Sequence, residues 1–332
     1  MIKINIPKTK LSTLVDNHWN WFNSHLGDAA DWFVENKKDW DKSRVTTRQD
    51  FLLTVLNLNS VKEIKDIIQA DYQKMKDLLG NHPQWTFPRK KGTNYKLRDA
   101  IQRAFGYDLF TDASSTTWSA LKLFDEFHLK VCPYCNSEII GKLKDSTGKY
   151  NYKTPMDHFF PESKYPVLSC SFFNIIPACT TCNRLKKAFD TYVDEIIYPH
   201  LEEYGNDGLF RCRIDLRCFF CSNSRFLQRI SRKIDVKIKP PKGKILPPKI
   251  KNSKEKFDID SLYTDFHQDD VQEFIHKCRS SVPIRVKFLA KFGFNKEKIL
   301  EKLHPIRRLN SYEYPLRKFE EDVLDQIKEF FE

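Results

Sequence analysis

Two Cys-x-x-Cys pairs constrain the fold of this chain more than any other feature of its sequence. They are Cys132-Pro-Tyr-Cys135 and Cys179-Thr-Thr-Cys182, and 43 residues separate them. Two such turns together complete a closed tetrahedral zinc site, which has no open coordination position for catalysis. We therefore predict a structural zinc ion, whose binding contributes on the order of 10 kcal/mol to folding. A redox pair of the thioredoxin type would need a βαβ frame, and the short strand-like runs here do not supply one.

The number and spacing of all the cysteines indicate a reducing compartment. Nine cysteines in all is an odd number, and metal-binding spacing in four of them argues against a disulfide framework, so we expect a cytoplasmic protein. Cys212, Cys218 and Cys221 form a further cluster. We interpret these three and Cys170 as small buried hydrophobic residues. The alternative is a second metal site, whose fourth ligand would have to be distant in sequence; the candidates are Cys278 and His267.

The 332 residues suffice for one large domain or two modest ones. No apolar run approaches the ~18 residues of a membrane helix, and the alternation in residues 1–6 predicts a strand instead of a secretion signal. Apolar spacing predicts a mainly helical region over 1–129, including one long helix from a capping box at Ser60 and Glu63 to Leu79. Residues 234–239 alternate as a strand, prolines 240–248 predict an extended linker, and 257–332 is predicted to be helical.

The positive charge of the chain is concentrated in one segment. Residues 211–256, which we call the basic segment, contain 15 Lys and Arg against three acidic residues, and the formal net charge of the whole chain is +12. The rest of the chain is therefore neutral. This pattern predicts binding to an anionic polymer such as a nucleic-acid backbone. The alternative is a solvated basic surface that serves only solubility.

The residues between the cysteine pairs carry a recognisable series. It consists of Asp157-His158-Phe159-Phe160-Pro161, then Phe173-Asn174-Ile175-Ile176-Pro177, and then Cys182-Asn183-Arg184. This Asp-His, Asn, Asn order resembles the HNH nucleases of the ββα-metal superfamily. With Tyr198-Pro199-His200-Leu201-Glu202 downstream, it is similar to HNH proteins of bacterial antiphage loci, some of which accompany an ATPase, as in Septu and retron-linked systems. The resemblance covers about 130–205.

The chemistry of the series supports phosphodiester hydrolysis. Such a reaction needs a base to activate water, a cation for the charge on the departing oxygen, and donors for the other phosphate oxygens. His158 suits the general base, because a neutral imidazole accepts a proton near neutral pH. Asp157 and Asn183 offer oxygen ligands for Mg²⁺ or Mn²⁺. We expect phosphate contacts from Arg184, Lys186 and Lys187.

The resemblance implies two further assignments. Asn174 corresponds to the middle Asn of the family, which braces the loop that orients the histidine. Asn183 stands where the family often has His, and this oxygen ligand favours Mg²⁺. Each of these residues also has an ordinary structural interpretation, as a strand histidine, a turn cap or a loop hydrogen-bonding group.

We therefore expect an α+β protein with a zinc-stapled ββα-metal (HNH) core at 130–210, flanked by helical N- and C-terminal regions. Its expected function is metal-dependent endonuclease activity in antiphage defence, on DNA more than RNA. One alternative is a catalytically silent, zinc-stabilised nucleic-acid-binding protein. The other is a nuclease directed at RNA, such as tRNA, and held inactive by an ATPase partner.

Overall fold

The described residues form helices and three small sheets, so the predicted α+β class is confirmed. The computed structural model describes residues 1–30, 45–88, 95–112, 118–148, 150–214, 234–281 and 313–329. Each described sheet contains two antiparallel strands. None of the described helices combines the length and apolar composition needed to cross a bilayer.

Helices account for most of the described residues between 8 and 127. The helices are α1 (Lys8–Ser24), α2 (Arg48–Leu56), α3 (Val61–Ile68), α4 (Tyr72–Asn81), α5 (Tyr95–Phe105), α6 (Tyr107–Thr111) and α7 (Ala120–Phe127). The strand predicted for residues 1–6 is wrong. Ile2 N–H donates to the carbonyl oxygen of Pro133 and Ile4 N–H to that of Pro199, so the segment bonds to two separate loops and has no continuous strand partner.

The long helix predicted over 61–79 is also wrong, because the chain breaks it into α3 and α4. Asp71 is the reason: its carboxylate accepts from the Lys74 N–H at 2.9 Å and begins a new helix. Ser60 makes no side-chain cap bond. Glu63 instead accepts from the backbone and side-chain nitrogens of Asn59.

The sheets are β1 (Lys142–Lys144) with β2 (Tyr150–Lys153), β3 (Met156–His158) with β4 (Ile175–Pro177), and β5 (Leu209–Cys212) with β6 (Val236–Lys239). In the second sheet, His158 lies opposite Ile175 and Asp157 opposite Ile176. Helix α8 (Thr180–Lys186) follows β4 and packs against β3. The predicted strand at 234–239 is confirmed as β6.

The C-terminal part contains α9 (Pro248–Lys256), α10 (Ile259–Ser261), a π-helical turn (Leu262–Phe266), α11 (Gln268–Ser281) and α12 (Arg317–Glu329). Helix α9 replaces the end of the predicted extended linker. Pro248 is compatible with this helix because it occupies a first-turn position, where no intrahelical N–H bond is lost. Ile250 then buries its side chain, which ties the helix to the body of the protein.

One continuous hydrophobic core joins the described parts of the chain. It includes Phe51 of α2, Phe160 after β3, Val236 of β6 and Phe319 of α12, each with no measurable exposure. The division into four regions at 129, 210 and 256 remains a prediction.

Two buried histidines predict a loss of stability in acid. His18 donates from Nε2 to the Cys170 carbonyl oxygen at 2.8 Å and accepts from the Trp118 indole N–H, and His200 lies 3.1 Å from the Ile175 carbonyl oxygen. Burial lowers the pKa of both to about 4, against 6.5 for a free histidine. The unfolded chain therefore binds more protons between pH 6.5 and 4, so each histidine should reduce the free energy of unfolding by up to about 3 kcal/mol over that window.

Denaturant unfolding measured at intervals from pH 7.5 to pH 4.5 checks this expectation. His18→Gln should lower stability at neutral pH but flatten its decline in acid. The exposed His276→Gln is the matched control and should leave the pH profile unchanged. A wild-type profile that stays flat across this window would contradict the prediction.

Candidate functional site

The four cysteines of the two pairs meet at one point. Cys132, Cys135, Cys179 and Cys182 are all buried, and their sulfur atoms lie within 4.8 Å of one another. Tetrahedral coordination at Zn–S distances of about 2.3 Å puts the sulfur atoms about 3.8 Å apart, which lies within this limit. The cluster can therefore hold a metal ion such as zinc. It is the group of candidate metal ligands found among the described residues.

Backbone geometry shapes both halves of this cluster. The Cys132 N–H donates to the Glu138 carbonyl oxygen, and the Asn136 N–H donates to the Cys132 carbonyl oxygen, which closes a tight turn. Asn136 takes a left-handed conformation with φ 56° at the end of that turn. Cys179 is the N-cap of α8, and its sulfur accepts from the Cys182 N–H at 3.3 Å. A helix N-terminus stabilises negative charge, so this position suits a thiolate ligand.

The burial of these thiols also favours a cation among them. Burial raises the pKa of the Cys132 thiol well above its usual range, and bonds with Cys135 and Cys179 raise it further. Four adjacent buried sulfurs therefore cannot all ionise by themselves. A divalent cation supplies the missing positive charge, because thiols that coordinate such an ion are deprotonated.

His158 lies at the end of β3 with its ring held in one orientation. Its Nε2 is 2.8 Å from the Ser169 carbonyl oxygen, which can only accept, so Nε2 carries a proton and, in the neutral ring, Nδ1 carries the lone pair. The ring of Tyr107 packs against the imidazole at 4.4 Å between centroids. Nδ1 lies 3.4 Å from a carboxylate oxygen of Glu162. The imidazole is only 7% exposed, and Nδ1 is its nitrogen available to accept a proton.

Asp157 is buried next to the cysteine cluster. The hydroxyl of Tyr134 donates to Oδ2 of Asp157 at 2.8 Å, and Tyr134 belongs to the Cys132–Cys135 turn. Burial raises the pKa of Asp157, while the Lys186 ammonium and the Tyr134 hydrogen bond act in the opposite direction. The cysteine turn thus directly orients the predicted metal ligand.

The predicted phosphate-binding residues divide into two environments. Arg184 and Lys187 are exposed at the end of α8. Lys186 is 1% exposed, its Nζ lies 3.4 Å from the His158 carbonyl oxygen, and it contacts the rings of Phe159 and Phe189. Its charge therefore faces the interior beside Asp157, which differs from the solvent-facing position that the sequence suggested.

Asn174 and Asn183 occupy different environments as well. Fully buried Asn174 accepts from the Phe160 N–H at 2.7 Å and donates to the carbonyl oxygens of Phe160 and Leu168. These three bonds tie together both ends of the loop between β3 and β4. Asn183 is half-buried on α8, and its side chain has no hydrogen bond within the described ranges, so its amide oxygen is available to a ligand.

Sequence reasoning missed Tyr107, Tyr134 and Glu162. Tyr134 had a usable signal, since it stands inside a metal-binding turn. Glu162 lies four residues after His158 and was also within reach of a local argument. Tyr107 belongs to α6, and no sequence pattern connects it with His158.

Only Cys212 of the third cysteine cluster lies within the described residues. Cys212 and Cys278 are buried, whereas Cys218 and Cys221 lie outside the described residues. Burial raises the pKa of the Cys278 thiol to about 12. His267 contacts Asp270 at 3.1 Å. The burial of Cys212 and Cys170 agrees with their interpretation as small buried hydrophobic residues, and Cys278, the candidate fourth ligand of a second site, is buried as well.

Comparisons with known proteins give two partial similarities. The chain is 31% identical to Septu protein PtuB of Bacillus thuringiensis over 75 residues, which is 23% of this chain and 26% of that protein. It is 32% identical to protein ea31 of Escherichia phage lambda over 75 residues, 22% of this chain and 21% of that protein. The chain thus matches about a quarter of the length of these relatives. No family model and no solved structure matches.

The cysteine geometry predicts about one equivalent of zinc per chain. Cys132→Ser should remove the metal and leave the protein unfolded or insoluble, because ligand loss removes folding free energy directly. Elemental analysis of the purified protein, with thermal unfolding, measures both effects. Cys170→Ala is the control, since Cys170 is buried outside the cluster, and it should keep the zinc. Soluble, folded protein with no metal would contradict the prediction.

Proposed function

We propose that this protein is a metal-dependent endonuclease that hydrolyses phosphodiester bonds in nucleic acid. The orientation of His158 is the observation that carries the proposal. Its Nε2–H is held by the Ser169 carbonyl oxygen, so Nδ1 is the basic nitrogen. Two antiparallel strands and a helix surround it, in the order β3, β4, α8. A general base needs such a fixed tautomer to accept the proton of an attacking water.

The proposed catalytic metal lies between β3 and α8. The Lys186 ammonium acts on the Asp157 carboxylate, and Asn183 is three residues before Lys186, hence on the same side of α8. Asp157 and Asn183 would hold Mg²⁺ or Mn²⁺, and an all-oxygen donor set suits these ions. The metal, when bound, neutralises charge on the departing oxygen. Arg184 and Lys187 would contact flanking phosphates from the exposed end of the helix.

We assign the four-cysteine cluster to structural zinc in this scheme. It would act through Tyr134, which connects the Cys132–Cys135 turn to Asp157. The similarity to Septu protein PtuB supports a role in antiphage defence, with an ATPase as the proposed partner and the cytoplasm as the site of action. The similarity to a phage lambda protein shows that related sequence also occurs in a phage. DNA is the proposed substrate.

A second function is favoured by the position of Lys186. Its buried ammonium already supplies positive charge beside Asp157, where the proposal puts a metal ion. A zinc-stabilised nucleic-acid-binding protein without catalysis would have no need of a second metal. The two functions differ in whether Mg²⁺ changes the covalent state of a nucleic acid.

Replacement of His158 should abolish cleavage without unfolding the protein. Because the ring is buried and hydrogen-bonded to Ser169, His158→Gln is the better variant, since its amide can still donate there. We expect cleavage to fall by about 10²-fold or more, with zinc content unchanged. Plasmid DNA, single-stranded DNA and tRNA should be tested with Mg²⁺, with and without the proposed ATPase. A wild-type rate in this variant would show that His158 is not the base.

The proposed metal ligand on α8 is tested by a matched pair of variants. Asn183→Asp keeps an oxygen ligand and should retain Mg²⁺-dependent cleavage, whereas Asn183→Ala should lose it. Mn²⁺ should partly restore the Ala variant, because Mn²⁺ binds such sites more tightly than Mg²⁺. If both variants had equal activity, Asn183 would not be a ligand of the metal.

A further inference from the structure

The sheet of β5 and β6 has one buried face and one cationic face. Phe210, Cys212, Val236 and Ile238 point inward and are buried, with Phe210 against Tyr263 and Phe319. The alternate positions carry Arg211, Lys237 and Lys239, as the two-residue period of a strand requires, and Arg213 follows directly after the end of β5. The pairing of hydrophobic residues therefore forces three cations onto the same outer face.

Two of these cations stand directly opposite each other. Arg211 pairs with Lys237 in the register of the sheet, and like charges at such positions destabilise a strand pair. Glu329 contacts Arg211 at 2.8 Å and Asp235 contacts Lys237 at 3.4 Å. Arg213 and Lys239 have no ion-pair partner within the described ranges. The face thus keeps a surplus of positive charge that an anionic ligand would relieve.

The described cations of the basic segment include two groups, while five others lie outside the described residues, namely Arg217, Arg225, Arg229, Arg232 and Lys233. Lys249, Lys254 and Lys256 form ion pairs at 2.7, 2.6 and 3.0 Å with acidic side chains of the surrounding protein, namely Glu202, Asp260 and Asp194. These lysines hold α9 in place. The cations around β5 and β6 instead surround a groove.

The groove has a volume of about 630 Å³ and is open to solvent. Five cations line it together with Asp235 and Glu329; they are Arg211, Arg213, Lys237, Lys239 and Lys242. Nη1 of Arg211 has no hydrogen-bond partner in the described part of the chain. A cluster of cations along an open groove is an arrangement that binds a phosphate backbone through charge.

We infer that this groove binds the phosphate backbone of nucleic acid, without reading its bases. The inference deepens the proposed nuclease function, since it assigns the surface that holds the substrate. The binding surface is then the groove around β5 and β6, and the three ion-paired lysines of α9 are structural. Recognition through phosphates alone predicts similar affinity for unrelated duplex sequences.

Binding should be measured by fluorescence anisotropy with labelled duplex and single-stranded DNA, without Mg²⁺, over a range of salt concentrations. The test variant replaces Arg213, Lys239 and Lys242 with Gln. Its log–log salt slope for duplex should be less steep by about 2 to 3, since each lost phosphate contact removes about 0.9. Duplex affinity should fall roughly tenfold or more at moderate salt.

The matched control is Lys3→Gln, Lys62→Gln and Lys251→Gln combined, which removes the same charge from exposed positions outside the groove. It should leave the slope near the wild-type value. Asp235→Asn removes an acidic group from the groove and should tighten duplex binding and steepen the slope, a gain that misfolding cannot produce. An equal loss in the control, or no gain with Asp235→Asn, would overturn the groove assignment.

Because these measurements need no cleavage, they remain informative if the protein proves catalytically silent. Mg²⁺-dependent cleavage together with an unchanged salt slope would retain the proposed nuclease function and reject the groove.

Discussion

The convergence of four cysteine sulfurs is the constraint on which the candidate site depends. One pair closes the turn before β1, and the other begins α8, so their meeting brings together segments that 43 residues separate. Tyr134 extends this constraint to Asp157 by a hydrogen bond from within the first turn. A metal ion in the cluster would therefore control both local folding and the placement of the carboxylate. The Tyr134 side chain would thus connect the folding of the cysteine cluster to the position of Asp157.

Near the cysteine cluster, buried polar groups form hydrogen bonds and charge contacts with one another. The Asp157 carboxylate has the Tyr134 hydroxyl and the Lys186 ammonium nearby, and Asn174 satisfies backbone groups at both ends of the loop after β3. A buried polar network destabilises the fold when some of its groups lack hydrogen bonds, and it is rigid when all of them are hydrogen-bonded. The rigidity fixes the tautomer of His158, and a general base requires that fixation. The same burial explains why Lys186 acts inside the protein instead of on a bound phosphate.

The described cations of the basic segment lie in two different environments, which the net charge of the segment does not distinguish. Ion pairs neutralise the charge of Lys249, Lys254 and Lys256 on α9, because acidic side chains of the surrounding protein face these three lysines. On β5 and β6 the buried face requires apolar residues, so the cations share the other face and their repulsion remains only partly compensated. Net charge per segment is thus a weaker guide to binding than charge left without a partner.

The sequence by itself determined the features that depend on short-range pattern. Cysteine spacing indicated a metal cluster, two-residue alternation predicted β6, and apolar spacing predicted helices before residue 129. The tertiary structure alone decided the break at Asp71, the burial of Lys186 and the contact of Tyr107 with His158. Periodicity reports which face of an element is buried, but the partner on the other side of that face comes from residues far away in the chain, and only the folded topology brings them together.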